Sequence, residues 1–409
     1  MTIRALRTGD LPADTVMLSD PASVAQLGGT AGFLAAVERV LERSGPALVV
    51  ATSGSTGRPK KTVLSSYALR SSAHATATHT GGHGQWLLCL PTHYVAGAQV
   101  VVRSVLAGTR PVTMPQGSFT AQGFVSATAT MTHPLRYASL VPTQLQRLVD
   151  ARHRSGVVEA LRSFTAILLG GSAATPALLD AAHDIGARVI TTYGMSETAG
   201  GCVYDGLALP GVRVRLEQLA PEDAPTGTDG RTGRIWLGGP MVSDGYLDDP
   251  EQTRRHIFTQ PPIDLPPDGS PNGSDAPRWY RTDDLGKFTS TPEGATRLHV
   301  LGRTDDVLIT GGVKVSAAVV RSHILSHPGV EDAIVLGIPD RQWGQLMVAA
   351  VVPHAHIPGQ HNTLVGQLSD RIRTELGVTA TPKQWRLLPR LPLLPTGKPD
   401  RTAVAALFM

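Results

Sequence analysis

The stretch Thr165-Ala-Ile-Leu-Leu-Gly-Gly-Ser-Ala-Ala-Thr-Pro-Ala-Leu-Leu-Asp-Ala-Ala-His-Asp-Ile-Gly-Ala-Arg-Val-Ile-Thr-Thr192 decides the fold class. Thr165 to Leu169 is an apolar run that stops at Gly170 and Gly171, as a buried strand does at its loop. The Ala/Leu-rich run from Pro176 to Asp184 reads as a helix, and Ala187 to Thr192 as a second strand. Strand, helix and strand at this spacing form a βαβ unit of ordinary length.

The same alternation extends outward. Pro46 to Ala51 reads as a buried strand ending at a Ser/Gly/Thr loop, and Trp86 to Leu90 as another closed by Pro91. Strands alternating with helical runs argue for an α/β fold with mostly parallel strands. Ligands bind such sheets at the carboxyl ends of the strands, where each of these glycine-rich segments falls. From about Arg213 to Leu237 the period changes to two, with Val212, Val214 and Leu216 on one face, which predicts antiparallel strands. Gln260 to Arg278 is dense in Pro, Asp, Gly and Ser and reads as a surface loop or insertion. After Arg303 a compact α+β domain is expected: a helix over Ser316–Ser326, strands over Ala333–Gly337 and Leu346–Val352, a helix over Leu364–Leu376, and a strand at Trp385–Leu388.

Composition narrows the class. The 409 residues carry 37 Lys+Arg against 33 Asp+Glu, a formal net charge of +4; hydrophobic residues make up 41% and charged residues 17%. That balance excludes a disordered chain, which needs high charge and few apolar residues. With 43 glycines and 31 prolines, the chain is rich in turns rather than a helical bundle. No Lys/Arg-rich block forms the footprint of a nucleic-acid binder. Cys89 and Cys202 are too few for a disulfide framework or a four-ligand zinc site. Met1 to Asp20 lacks the order of a signal peptide, and no run approaches the ~18 apolar residues of a membrane span. A soluble cytoplasmic protein is expected, with a homodimer left open.

The strongest local signal is Thr52-Ser53-Gly54-Ser55-Thr56-Gly57-Arg-Pro-Lys60. Its glycines permit close backbone approach, and three kinds of donor (backbone N–H, hydroxyl and the Lys60 ammonium) suit a phosphate cradle. A P-loop needs Gly-x4-Gly-Lys-Ser/Thr. Here Ser55 and Lys60 occupy the glycine positions, so the chain is not a P-loop NTPase. Standing alone, such a segment has a blander alternative as a flexible Ser/Gly linker, since hydroxyl-rich loops are common.

It does not stand alone. The segment resembles the phosphate-binding loop of the adenylate-forming superfamily of acyl-CoA synthetases, luciferases and peptide-synthetase adenylation domains. Further segments are similar to that family's, in its order: Pro91-Thr-His-Tyr-Val-Ala-Gly97, Gly170-Gly171-Ser172-Ala173, Thr192-Tyr-Gly-Met-Ser-Glu-Thr198, Gly245-Tyr-Leu-Asp-Asp-Pro250, Tyr280-Arg-Thr-Asp-Asp-Leu-Gly286, Leu301-Gly-Arg-Thr-Asp-Asp306, Gly311-Gly312, Trp343-Gly-Gln345 and Pro395-Thr-Gly-Lys-Pro399. Lys61 and Asp283 stand where the family has glycines.

The resemblance implies a large N-terminal α/β adenylation domain over residues 1–303 with a shortened N-terminal region, a hinge at 304–306, and a small mobile α+β domain over 307–409. It also implies ATP (released as AMP), Mg²⁺ and CoA as cofactors and co-substrates, with a small carboxylic acid as partner. Glu197 would be the Mg²⁺ ligand, a hard anionic oxygen that alone would read as a surface carboxylate. Thr198 would bond a phosphate. Gly170, Gly171 and Ser172 would form the adenine turn, with Tyr193 stacking on the base and Gly194 beside it. Asp284 would accept both ribose hydroxyls, and Arg303 would hold the ribose or α-phosphate. Lys398 would bridge substrate carboxylate and α-phosphate. His93, Gly97 and Met195 would line the acid pocket, Asp305 would be the hinge residue, and Gly311 and Gly312 would admit pantetheine.

The phosphate loop begins only ~50 residues from the start, as the numbering above shows. That compactness and the run Tyr193-Gly-Met-Ser-Glu-Thr-Ala-Gly-Gly-Cys-Val-Tyr-Asp-Gly206 resemble the o-succinylbenzoate–CoA ligase branch of the superfamily, which serves menaquinone biosynthesis. Other expectations remain beside it: another acyl- or aryl-CoA ligase, an adenylation enzyme loading a separate carrier protein, or a non-catalytic adenylate binder. The last is disfavoured by the joint presence of Lys60, Glu197, Asp284 and Lys398.

Overall fold

The computed structural model describes residues 5–52, 60–219, 232–260, 278–290, 294, 296–354, 361–393 and 399–409. The chain divides into two compact units. One comprises Met1–Ala174, Leu178–Arg215 and Trp236–Thr282; the other comprises Thr175–Ala177, Leu216–Ile235 and Asp283–Met409.

The predicted βαβ unit is present: strand Ala166–Leu169, helix Pro176–Asp184, strand Val189–Met195, with Ile167 to Leu169 parallel to Val189 to Thr191. All four residues of the first strand are buried, which is why its sequence is a continuous apolar run without alternation. The unit sits within a seven-stranded sheet, in the order Leu207–Ala208, Gly200–Tyr204, Val189–Met195, Ala166–Leu169, Arg136–Leu140, Gln85–Leu88, Val112–Thr113. The last five are parallel. The first three form antiparallel pairs, because short turns join them and leave no room for a crossover.

A second sheet lies around the Ser/Gly/Thr segment, and its pairing there is antiparallel. Pro46–Thr52 pairs antiparallel with Lys60–Ser65, and the helix comes only afterwards, over Ser66–Thr80 with Ser65 accepting the Ala68 N–H as its cap. Residues 53–59 therefore join two neighbouring strands rather than a strand to a helix. The physical reason lies in Thr62-Val63-Leu64, whose β-branched and apolar side chains are buried on the sheet. Val16–Leu18 and Gly245–Tyr246 complete this sheet. Its core is filled by Leu18, Leu48, Val50 and Leu64 against Phe33 and Val37 of helix Gly29–Glu42, Leu69, and Val101 of helix Val95–Leu106.

The period-two run resolves into Arg213–Gln218 and Gly233–Gly238, neighbours in a sheet that continues through Trp279–Ser290 to Ile257–Phe258. Most of the expected 260–278 loop, and residues 220–231, lie outside the described residues. Thr296–Arg303 pairs antiparallel with Trp279–Ser290.

In the second unit, Val307–Thr310 and Val313–Ser316 form a hairpin. Val330–Asp340 and Gly344–Pro353 form a longer antiparallel pair than the sequence predicted, and Gln384–Leu387 runs parallel to the latter. Alternation is strict in the long pair. Ala333, Val335, Met347, Ala349 and Val351 face a core with helices Ala317–Leu325 and His361–Leu376. Ile334, Leu336, Ile338, Val348, Ala350 and Val352 face a second core with Leu391, Val404 and Phe408. Both faces are covered, so the α+β expectation is met in this unit.

Candidate active site

The strand Val189–Met195 ends in a single 3₁₀ turn, Ser196–Thr198, and the chain reverses through Ala199 at φ 50° into Gly200–Tyr204. A non-glycine residue in that left-handed region is strained and needs support from its surroundings. Three side chains supply it. The Thr198 hydroxyl accepts from the Met195 N–H (3.0 Å) and lies 2.8 Å from the Gly200 carbonyl, to which it can donate. Gln99 Nε2 and the Ser72 hydroxyl donate to the Ala199 carbonyl at 2.7 and 3.0 Å.

This turn holds Glu197 with 7% of its surface exposed. A buried carboxylate is costly without a partner, and the Tyr246 hydroxyl donates to its Oε1 at 2.7 Å. The Glu197 carbonyl accepts from the Ser243 N–H at 2.9 Å. Burial first, and then the Glu197 charge, push the Tyr246 phenol far above its ordinary value, so it stays a donor. Lys60 Nζ lies 5.5 Å from the centroid of the same ring, within cation–π range. Lys60, Glu197 and Tyr246 thus form one cluster, built from three segments distant in sequence.

The other predicted residues of this unit take these places. Gly170 and Gly171 follow the Ala166–Leu169 strand, the Gly170 N–H donating to Leu140 at 3.1 Å, and Ser172 is exposed beside them. Tyr193, Gly194 and Met195 end the neighbouring strand, half-buried and paired with Val203, Gly201 and Gly200. Gly97 lies in the first turn of helix Val95–Leu106, where a Cβ would stand 2.2 Å from the Pro91 carbonyl oxygen. That close approach requires glycine. His93 is half-buried with its ring 4.1 Å from that of Tyr94; burial holds its pKa below the ordinary value, against a weaker upward pull from Asp20. Thr52 ends its strand through backbone pairing with Lys60. Ser53, Gly54, Ser55, Thr56 and Gly57 lie outside the described residues.

In the second unit Asp284 and Arg303 stand directly opposite each other in register. Asp284 is buried, and a guanidinium nitrogen of Arg303 lies 3.9 Å from its carboxylate. Asp283 is engaged by Arg234 at 3.0 Å and by Arg303 at 3.8 Å. The two adjacent aspartates are thereby distinguished: one is anchored in an ion pair with Arg234, the other lies opposite Arg303. Gly311 and Gly312 form the two-residue tip of the 307–316 hairpin at φ 57° and 80°, the positive-φ pair of a type I′ turn. Gly311 donates its N–H to the Trp343 carbonyl at 3.0 Å, and a Cβ on it would meet the Trp343 ring at 2.9 Å. Asp305 lies in the 3₁₀ turn Thr304–Asp306. Lys398 lies outside the described residues.

Sequence reasoning assigned no role to Tyr246, Gln99 or Arg234. Tyr246 stood in a quoted segment, yet its contact with Glu197 spans 49 positions, and no local period reports such a contact.

The chain matches the model of the AMP-binding enzyme family over residues 6–247 and that of the AMP-binding enzyme C-terminal domain over residues 320–398. It is 39% identical to a probable 2-succinylbenzoate–CoA ligase of Mycobacterium tuberculosis (strain H37Rv), over 95% of this chain and 92% of the relative. Among solved structures it resembles the o-succinylbenzoate CoA synthetase of Bacillus subtilis in complex with the acyl-adenylate intermediate OSB-AMP, at TM-score 0.66 and 27% identity over 88% of this chain and 69% of that one. The same B. subtilis enzyme in complex with ATP and magnesium ion gives TM-score 0.64 at the same identity and coverage. An amide bond synthetase from Marinactinospora thermotolerans gives TM-score 0.69 at 25% identity, over 89% and 70%. Motifs and these matches agree: the chain belongs to the AMP-binding enzyme family.

Proposed function

We propose that this chain is an ATP-dependent 2-succinylbenzoate–CoA ligase of menaquinone biosynthesis, working in the cytoplasm in two steps through an acyl-adenylate. The observation that carries the choice of acid is the 39% identity, over nearly the whole of both chains, to the mycobacterial relative of that name. Likeness of fold does not make the choice, since the amide-forming neighbour has a TM-score as high as the thioester-forming one. Among the described residues no helix is long and apolar enough to cross a membrane.

The chemistry explains why ATP is needed. A thiol cannot displace oxide from a carboxylate, so the acid first attacks the α-phosphorus of ATP in line and expels pyrophosphate. AMP is then the leaving group when the CoA thiol attacks the acyl carbon. Positioning and charge stabilisation dominate such transfers. Lys60 supplies a cation to the phosphates, and Thr198 a hydroxyl. Gly170, Gly171, Ser172 and Tyr193 receive the adenine, and Gly194 keeps that strand close to its neighbour. Asp284 receives the ribose hydroxyls with Arg303 opposite. His93, Gly97 and Met195 line the acid pocket. Lys398 bridges carboxylate and α-phosphate, Asp305 is the hinge, and the Gly311–Gly312 turn receives the pantetheine arm; these roles, like those before them, rest on the motif resemblance.

Glu197 fits magnesium by its donor chemistry, a buried carboxylate that shares the Tyr246 ring with Lys60. Magnesium is commonly held by one or two carboxylates together with substrate phosphates, the kind of donor Glu197 supplies. When bound, magnesium would neutralise charge on the departing pyrophosphate.

The test is a pyrophosphate-release assay over 2-succinylbenzoate, benzoate and octanoate with CoA present. Thioester should form far faster with 2-succinylbenzoate. Preference for octanoate would remove the assignment of the acid. Pyrophosphate release with an amine consumed in place of CoA would move the chain to amide synthesis.

A further inference from the structure

We propose that Tyr246 is a positioning residue that sets the Glu197 carboxylate and the Lys60 ammonium against the triphosphate through a single ring. The proposal rests on the roles given above to Glu197 and Lys60, and the geometry of the tyrosine carries it further.

Tyr246 is 1% exposed, so its hydroxyl must find partners inside the protein. It donates to Glu197 Oε1 at 2.7 Å, and the Tyr280 hydroxyl adjoins it. The backbone is equally fixed. Gly245 and Tyr246 pair antiparallel with Val63 and Thr62, and the Leu247 N–H donates to the Lys61 carbonyl at 2.8 Å. The strand that carries the ring is therefore bonded to the strand that begins at Lys60. The Tyr246 N–H donates to the Thr253 hydroxyl at 2.9 Å. On another side the His256 ring stands edge-on at 6.3 Å, itself fixed by a 2.8 Å hydrogen bond to the Arg281 carbonyl. A ring so enclosed has one orientation.

Two consequences follow from the two ends of the ring. The hydroxyl fixes the rotation of the Glu197 carboxylate, and magnesium demands near-ideal octahedral geometry at short distance, so a small misorientation weakens binding. The face of the ring stands beneath Lys60 and restrains a long side chain that otherwise samples many rotamers. The hydroxyl thus serves the metal and the face serves the phosphate lysine. These functions are separable by substitution.

The experiment is calorimetric binding of α,β-methylene-ATP, which cannot be cleaved at the α-phosphorus, with magnesium and in metal-free buffer. Tyr246→Phe keeps the ring and removes only the hydroxyl. It should weaken the magnesium complex about tenfold, the scale of one charge-assisted hydrogen bond, and leave metal-free binding within about twofold. Tyr246→Leu removes the face as well and should weaken both. In a Glu197→Gln background, Tyr246→Phe should add nothing further to the metal dependence. Thermal melting monitors the fold of each variant. Equal weakening of both ligand forms by Tyr246→Phe, or none, overturns the proposal. Glu197→Gln and Lys60→Ala alone test the underlying reading: if Glu197→Gln binds the magnesium complex normally, the metal role of Glu197 fails, and the proposal with it.

Discussion

Asp283 and Asp284 are chemically identical neighbours, and the structure predicts opposite outcomes for removing their charges. Asp284 is buried opposite Arg303, whereas Asp283 is tied to Arg234 at 3.0 Å on a partly exposed face. If Asp284 accepts the ribose hydroxyls, Asp284→Asn keeps the shape but loses a charged acceptor. A hydrogen bond to a charged group contributes about 1.5–3 kcal/mol, and 1.4 kcal/mol is tenfold in affinity. The Kd for ATP should therefore rise about 10- to 150-fold. Asp283→Asn removes the ion pair with Arg234, whose side chains are 26% and 17% exposed, and a longer 3.8 Å contact with Arg303, each a class of interaction contributing up to about 1 kcal/mol. It should lower Tm by a few degrees and leave ATP affinity within about twofold. Calorimetric titration with ATP and with 2′,3′-dideoxy-ATP decides the matter. Asp284→Asn should bind the dideoxy compound as the wild type does, because no hydroxyl remains to be lost. If Asp283→Asn loses ATP affinity and Asp284→Asn does not, the ribose acceptor is the wrong aspartate. If neither does, the ribose is held elsewhere.

Gly97→Ala should destabilise the fold by about 1–3 kcal/mol, the usual scale of overpacking, because its Cβ would meet Pro91 backbone at 2.2 Å; an unchanged Tm would contradict that packing. Gly312→Ala meets no atom within 4 Å and carries only the positive-φ cost of about 1–2 kcal/mol, so it should fold and adenylate normally while slowing thioester formation. Gly311→Ala also displaces the Trp343 ring, and should melt lower than Gly312→Ala; the reverse order would refute the turn geometry. His93 has its pKa held below the ordinary 6.5 by burial. As pH falls below 6.5 the unfolded chain therefore takes up the proton first, and stability declines toward the folded pKa. His93→Gln should flatten that acid-side decline in Tm, and a slope identical to wild type would count against a half-buried imidazole whose charged form is disfavoured in the fold.

The parts of the fold that were legible from sequence are those where one element writes its own period. Ala166–Leu169 is buried on both faces and reads as an apolar run, Pro176–Asp184 was placed at its observed bounds, and 333–337 and 346–352 lie within longer strands. The pairing of Pro46–Thr52 with Lys60–Ser65 was not legible, because a strand entering a glycine-rich loop looks the same whether a helix or an antiparallel partner follows. The hairpin at 307–316 was missed because each arm is only four residues long, too short for a period to show. Motifs located Glu197, Lys60, Asp284 and Arg303 as candidates. They could not show that Tyr246 joins the first two, nor that Arg234 engages Asp283, since both contacts arise from sheet register between distant segments.

If the acid attacks the α-phosphorus of ATP before any thiol arrives, an oxygen of its carboxylate must end on AMP, and isotope labelling reads that transfer. 2-Succinylbenzoate labelled with oxygen-18 in its carboxylates is turned over with ATP, magnesium and CoA, and the nucleotide and pyrophosphate are examined by mass spectrometry. Attack by the carboxylate leaves one of its oxygens bridging to phosphorus, and thiolysis then releases that oxygen with AMP. AMP should carry one labelled oxygen per thioester formed, with none in pyrophosphate. Unlabelled AMP, or ADP as the nucleotide product, would contradict it.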